Sequence, residues 1–362
     1  MLVVTLGDPF GVMVELVARC WHQLQRGADG ISPRSDGAGP AVLLVGSHHH
    51  WSDQWNRLHL RLGRDFPIKK PSIPVVRVSP LAENLEDLLA TMAHIPIGFL
   101  DIDQDHDCRV PAEDLSLRDR GILSWRSLDM LRHQTFKNWS RGREKFAVVT
   151  GPVDKFSLDQ VGFKYPGKTE FFEDLWQTQA VMILAGPRLK VGLVTNHHAL
   201  REVPRVMTQD LVANKIRLFA HALQQFFPAV HPRLAVTGLN PHAGDSGKFG
   251  DEEQRLIVPA IEQVRSELKA LSVEGPLPAD TAFYGGYHGL YDGVLAMYHD
   301  QGLGPLKTVH FDEAVNISGG LPHLRISPDH GPARNLFLRG EASAKSLQNA
   351  LDMALRYLGD LP

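Results

Sequence analysis

Val191-Gly192-Leu193-Val194-Thr195-Asn196-His197-His198 is an apolar run that ends in a polar turn carrying imidazoles. Two other stretches share the pattern. Leu234-Ala235-Val236-Thr237 runs on to Asn240-Pro241-His242, and Val294-Leu295-Ala296-Met297 runs on to Tyr298-His299-Asp300. Short runs rich in Val, Leu and Ile, bounded by Gly, Pro or Asn, are how the buried strands of a parallel sheet read. Leu2–Leu6, Ala41–Val45, Phe146–Thr150 and Thr281–Tyr284 are further runs of this kind. Between them, apolar residues recur at helical spacing over Val12–Arg26, Leu123–Phe136, Leu211–Phe227, Glu252–Leu271 and Ser343–Leu358. The acids Asp251-Glu252-Glu253 stand at the start of one of these, where the helix dipole favours negative charge. This alternation predicts an α/β protein with a largely parallel sheet.

In open α/β sheets, ligands bind beyond the carboxyl ends of the strands. Three runs that end in His197, His242 and His299 therefore deliver three imidazoles to one sheet edge. Three His ligands with an open position make a catalytic divalent-metal site. The competing reading is that each His only caps its strand or bonds its loop. The chain has 18 histidines, and the others gain nothing by position. His22, His133 and His221 fall inside helical patterns, and His48-His49-His50 reads as a polar loop after a strand.

Composition narrows the function classes. The 362 residues carry 38 Lys+Arg against 41 Asp+Glu, with 43% hydrophobic residues, so neither a disordered chain nor a basic nucleic-acid-binding footprint is indicated. Cys20 and Cys108 cannot form a disulfide framework. No apolar run is long enough for a transmembrane helix, and the opening residues show no secretory signal, so a cytoplasmic enzyme is expected. The length suggests two domains. Gly27–Pro40 and residues 100–121 read as loops, the second with an acidic run, Asp101-Ile102-Asp103-Gln104-Asp105.

Gly162–Thr169 fits the pattern G-x-x-x-x-G-K-[ST], which in an NTPase places Lys168 on the outer phosphates and Thr169 on Mg²⁺. That chemistry needs a strand directly before the loop. Phe146–Thr150 ends about a dozen residues early, and Pro166 removes one N–H from the cradle. Lys168 and Thr169 at a helix start would still suit a single phosphate group.

Longer motifs then assemble in order: Gly7-Asp8-Pro9-Phe10-Gly11, Gly151-Pro152-Val153-Asp154-Lys155, Gly167-Lys168-Thr169-Glu170, Leu239-Asn240-Pro241-His242-Ala243-Gly244, Gly275-Pro276-Leu277-Pro278-Ala279-Asp280-Thr281, Tyr298-His299-Asp300-Gln301-Gly302-Leu303 and Asp329-His330-Gly331. With these motifs the chain resembles the 4-hydroxythreonine-4-phosphate dehydrogenase (PdxA) family of pyridoxal phosphate synthesis. The resemblance implies an isocitrate/isopropylmalate-dehydrogenase-like two-domain α/β fold around a central cleft, not a Rossmann fold. Residues 1–145 plus 305–362 would form the first domain and 146–304 the second, in a homodimer with shared active sites.

The resemblance also implies roles. The metal ligands fall on His197, His242 and His299, for Zn, Mg, Co or Mn. Substrate positions fall on Lys168, Thr169, Lys307, Asn316 and Arg325, and Asp280, Asp300 and Lys307 are the candidates for taking the alcohol proton. The implied reaction is NAD- or NADP-linked oxidation of a small phosphorylated β-hydroxy acid to a β-keto acid that decarboxylates. A related dehydrogenase for another four-carbon sugar-acid phosphate, or for a dihydrodiol carboxylate, is the alternative. Three departures stand out. Lys168 replaces the family His; Phe10, Met13 and Val14 add bulk to the opening loop; and Arg334 with Asn335, where the family has an acid, suggests a partner for an NADP 2′-phosphate.

Overall fold

The computed structural model describes residues 1–30, 41–63, 66, 70–77, 97–103, 109–133, 136 and 145–359. The chain forms two compact units, Met1–Gly167 with His323–Pro362, and Lys168–Pro322. The sequence-based cut at 304/305 falls inside the continuous helix His299–Val309, where Pro305 reads as a breaker but is accommodated.

In the first unit the strands, numbered in chain order, are β1 (Leu2–Thr5), β2 (Val42–Gly46), β3 (Val75–Arg77), β4 (Ile97–Asp101), β5 (Ala147–Thr150) and β12 (Leu324–Pro328). They lie in the order β3-β4-β2-β1-β5-β12, and each neighbouring pair is parallel. All four residues of β1 are buried, as a strand in the middle of a helix-covered parallel sheet requires. The helix Lys345–Leu358 packs on β5 and β12. The same unit holds a tryptophan cluster: Trp51 and Trp55, one turn apart on the helix His48–Leu62, meet each other at 4.8 Å between ring centroids and both meet Trp21.

That helix corrects one expectation. His48–His50 is its first turn rather than a loop, with Ser47 as N-cap accepting from the His50 N–H. Two acids of the 101–105 run, Asp101 and Asp103, serve the same turn. Asp101 accepts from the His48 N–H at 3.1 Å, and Asp103 accepts from Ser47 Oγ at 2.5 Å. Residues 104–108, Cys108 among them, lie outside the described residues, as do 31–40 of the expected Gly27–Pro40 loop, whose first part ends the helix Trp21–Gly30. The bulky opening loop is absorbed inwards: Met13 and Val14 are buried, and Phe10 meets Phe337 edge-on.

The second unit has β6 (Val181–Ala185), β7 (Lys190–Leu193), β8 (Arg233–Thr237), β9 (Ser272–Leu277), β10 (Gly293–Ala296) and β11 (Val315–Gly319). Their order is β11-β6-β7-β10-β8-β9, with β6 antiparallel to both neighbours and the other pairs parallel. The helix Gln209–Phe226 drives Phe219 against β7 and β10. Side chains are missing there for a reason: a Cβ on Gly293 would lie 2.5 Å from the Phe219 ring. Thr281–Tyr284, expected as a strand, lies in the helix Ala279–Tyr287, because a four-residue apolar run does not separate the two states. The expected helix over Glu252–Leu271 is a π-helical turn, Glu253–Ile257, followed by Val258–Glu267.

Burial gives His50 a measurable consequence. Burial first, and then the neighbouring His49, push its pKa down to about 4. The unfolded chain therefore binds a proton between about pH 6.5 and 4 that the folded chain refuses, so stability from this group is present above that window and lost as pH falls through it. Urea unfolding should show the wild type losing on the order of 2 kcal/mol more than His50→Gln between pH 7 and pH 5. Equal losses in the two proteins would refute this.

Candidate active site

β10 lies between β7 and β8 and is parallel to both, so all three carboxyl ends leave the sheet on the same side. His197 follows β7, His242 follows β8 and His299 follows β10. The ends are tied by a residue that motif reading passed over. Gln301 Oε1 accepts from the Met297 N–H at 2.7 Å and from Thr237 Oγ1 at 3.0 Å, while its Nε2 donates to the Gly238 carbonyl at 2.8 Å. Thr195 adds a second tie, donating through Oγ1 to the Met297 carbonyl at 2.8 Å. The signal for Gln301 was its place one turn into a helix that starts directly after β10.

His197 and His299 stand side by side, with ring centroids 5.8 Å apart. His299 Nδ1 lies 2.7 Å from Asp300 Oδ1. An ionised carboxylate only accepts, so Nδ1 carries the proton and Nε2 the lone pair, the arrangement that orients metal-ligating histidines. His242 is exposed and sits on a left-handed turn. Among the described residues, no group of three His, Cys, Asp or Glu side chains within one chain is placed to hold a metal ion. The structure thus pairs two of the three predicted ligands and leaves His242 apart from them.

Three predicted substrate positions of this unit lie on its helix Lys168–Trp176 and on β11. Lys168 is the first helical residue and half-buried. Thr169 is buried, its Oγ1 3.3 Å from Ser318 Oγ on β11. Asn316 is two residues from Ser318, hence on the same face of that strand. Lys307 lies in the last turn of His299–Val309, and its Nζ donates to the Phe311 carbonyl at 3.4 Å. Asp280 is exposed in the first turn of Ala279–Tyr287. The phosphate-loop match fails its context: β5 ends at Thr150 and the helix Lys155–Asp159 intervenes before Gly162.

In the first unit, Arg325 is buried on β12 and donates to Thr150 Oγ1 at 2.9 Å. Arg334 donates from Nη2 to Asp8 at 2.8 Å and to Asp154 at 2.6 Å, joining the opening loop to the Gly151–Lys155 loop. Burial raises the Asp154 pKa, but the bonds from Ser157 and Arg334 outweigh it and hold the carboxyl below the ordinary range. Asn335 is exposed beside it.

The family model for the pyridoxal phosphate biosynthetic protein PdxA matches residues 134–354. The chain belongs to the PdxA family. A 4-hydroxythreonine-4-phosphate dehydrogenase of Erythrobacter litoralis is 35% identical over 98% of this chain and 95% of its own length. One from Geobacter metallireducens is 48% identical over 58% of this chain, a match that spans 61% of that relative. The crystal structure of 4-hydroxythreonine-4-phosphate dehydrogenase from Klebsiella pneumoniae superposes with a TM-score of 0.71 at 30% identity, covering 99% of this chain and 98% of that one. The mixed α/β fold is that of the PdxA proteins. Among the described residues, no helix of this PdxA-family chain is long and apolar enough to cross a membrane.

Gln301 gives a direct test of the strand-end tie. Gln301→Ala strands the buried Met297 N–H and the Gly238 carbonyl, at about 1–3 kcal/mol for each unsatisfied group. Gln301→Glu keeps the acceptor but sets an oxygen against the Gly238 carbonyl, so it should not rescue. Urea midpoints of the three proteins measure this, and an unchanged midpoint in Gln301→Ala would count against the tie.

Proposed function

We propose that this PdxA-family chain is a metal-dependent, NAD-linked dehydrogenase. It oxidises 4-phosphohydroxy-L-threonine, or a close phosphorylated β-hydroxy acid, to a β-keto acid that loses CO₂. The observation that carries the reading is the pairing of His197 and His299 at the carboxyl ends of adjacent parallel strands, with His299 oriented by Asp300. Two neutral imidazoles side by side fit a divalent ion, and the third donor, His242, is supplied by the second copy in a homodimer with shared sites. When bound, such an ion supplies Lewis-acid polarisation of the substrate hydroxyl and of the ketone formed from it.

The rest falls to the chain's own residues. Lys168 adds a full positive charge at a helix N-terminus, where backbone N–H groups already favour anions, and holds the substrate phosphate with Thr169. Asn316 hydrogen-bonds the substrate from β11. Asp300 is spent on His299, which leaves either Asp280 or the neutral amine of Lys307 to take the one hydroxyl proton as hydride leaves for the nicotinamide.

The same family His-to-Lys change supports a second reading, a dehydrogenase for a different four-carbon sugar-acid phosphate. Substrate choice decides between them. NADH formation should be followed over a panel of phosphorylated hydroxy acids with and without chelator. Activity with 4-phosphohydroxy-L-threonine that chelator abolishes and metal restores is expected; an active protein indifferent to chelator would sink the metal mechanism. Shared sites make a further claim. His197→Ala and His242→Ala should each be inactive, and mixing them through dissociation should restore about a quarter of wild-type activity, since heterodimers keep one intact site. No recovery on mixing would place all three ligands in one chain.

Cofactor choice follows from Arg334. The sequence suggested it as a 2′-phosphate partner, but its guanidinium is already bonded to Asp8 and Asp154. A 2′-phosphate would have to displace these two carboxylates from the guanidinium. kcat/KM should favour NAD over NADP by about tenfold or more, the equivalent of one 1.4 kcal/mol step. Equal or better use of NADP would overturn this assignment.

A further inference from the structure

We propose that Glu253 is a positioning residue for His242, acting through the turn that carries it. This rests on the reading of His242 as a metal donor. After β8 the backbone enters a turn in which His242, Ala243, Gly244, Asp245 and Ser246 all have positive φ. Four of these five residues carry a Cβ, and an L-residue adopts this conformation only when its surroundings impose it. The turn carries backbone bonds of its own, among them Ala243 N–H to the Asn240 carbonyl at 3.1 Å, Phe249 N–H to the Gly244 carbonyl at 3.1 Å and Lys248 N–H to the Asp245 carbonyl at 3.3 Å.

A carboxylate beneath it ties this path to the end of β8. Glu253 is 3% exposed. Its Oε1 accepts from the consecutive N–H groups of Leu239 at 2.8 Å and Asn240 at 2.7 Å, and its Oε2 accepts from Asn240 Nδ2 at 3.0 Å. Two charge-assisted bonds to adjacent backbone amides fix the direction in which the chain leaves β8. The turn then folds back onto the same side chain, so closely that a Cβ on Gly244 would lie 2.6 Å from Glu253 Oε2. Glu253 itself opens the π-helical turn Glu253–Ile257, a rare feature that concentrates at functional sites. The carboxylate touches neither His242 nor any reacting atom. It sets where the imidazole stands.

The test uses the purified full chain, with Co²⁺ as the metal probe followed by its visible absorption, and hydrogen–deuterium exchange of the 239–247 backbone. Glu253→Ala should weaken Co²⁺ binding by about tenfold or more, approaching His242→Ala, as loss of an orienting partner does. It should also speed amide exchange across 239–247 while β7 and β10 keep their protection. Glu253→Gln keeps an oxygen for the two amides and should recover much of both. Wild-type Co²⁺ affinity and exchange in Glu253→Ala would overturn the proposal, as would exchange rising equally through the whole unit, which marks a merely structural role. If the wild-type chain itself shows no Co²⁺ band, the metal reading fails, and the exchange of 239–247 alone decides whether Glu253 governs the turn.

Discussion

The parallel pairing of β10 with β7 on one side and β8 on the other is the constraint from which the candidate site follows. Parallel pairing brings three carboxyl ends to one side of the sheet, and a residue just past such an end is delivered there whatever its distance along the chain. The pairing is also made tight. Gly192 and Gly293 leave room for Phe219 against the two strands, and Gln301 bonds across the ends of β8 and β10. A site assembled at strand ends inherits the precision of the sheet, which is why these polar ties sit immediately beneath the histidines.

Precision is nevertheless distributed unevenly among the three imidazoles. His299 begins a helix and is held by Asp300, so its ring is fixed by regular structure and one bond. His242 stands on a turn of unfavourable backbone conformation, and its place depends on a buried acid more than ten residues later in the chain. The left-handed path costs energy that a sheet or helix would not. That cost is sustained because Leu239 and Asn240 have their N–H groups satisfied by a full negative charge.

Much of this was legible in the residues. Runs such as Val191–Thr195 and Leu234–Thr237 name their strands because β-branched and aliphatic residues bounded by turn formers have few other uses. The histidines at their ends were legible for the same reason. β6, β11 and β12 were not, since Val181–Ala185 follows a helix without a clear break and the residues of β11 and β12 mix polar with apolar. Thr281–Tyr284 failed in the opposite sense, its short apolar run belonging to a helix that Pro278 and Ala279 begin. Asp101 and Asp103 read as a solvated acidic run because their task, capping a helix that starts over fifty residues earlier, leaves no local trace. Gln301 and Glu253 share that limit. Each acts on backbone groups of another segment, and only the fold brings the two together.

The two basic departures from the family pattern show how far a charge alone can be interpreted. Lys168 and Arg334 both carry a positive charge, and from sequence both invite a phosphate. Lys168 begins a helix, so its charge adds to the partial positive charge of the unpaired N–H groups there, and an anion is favoured by both. Arg334 faces two carboxylates, one buried and one already capping a helix, and its charge is consumed in joining their loops. A guanidinium in that position does for the opening loop what Gln301 does for the strand ends.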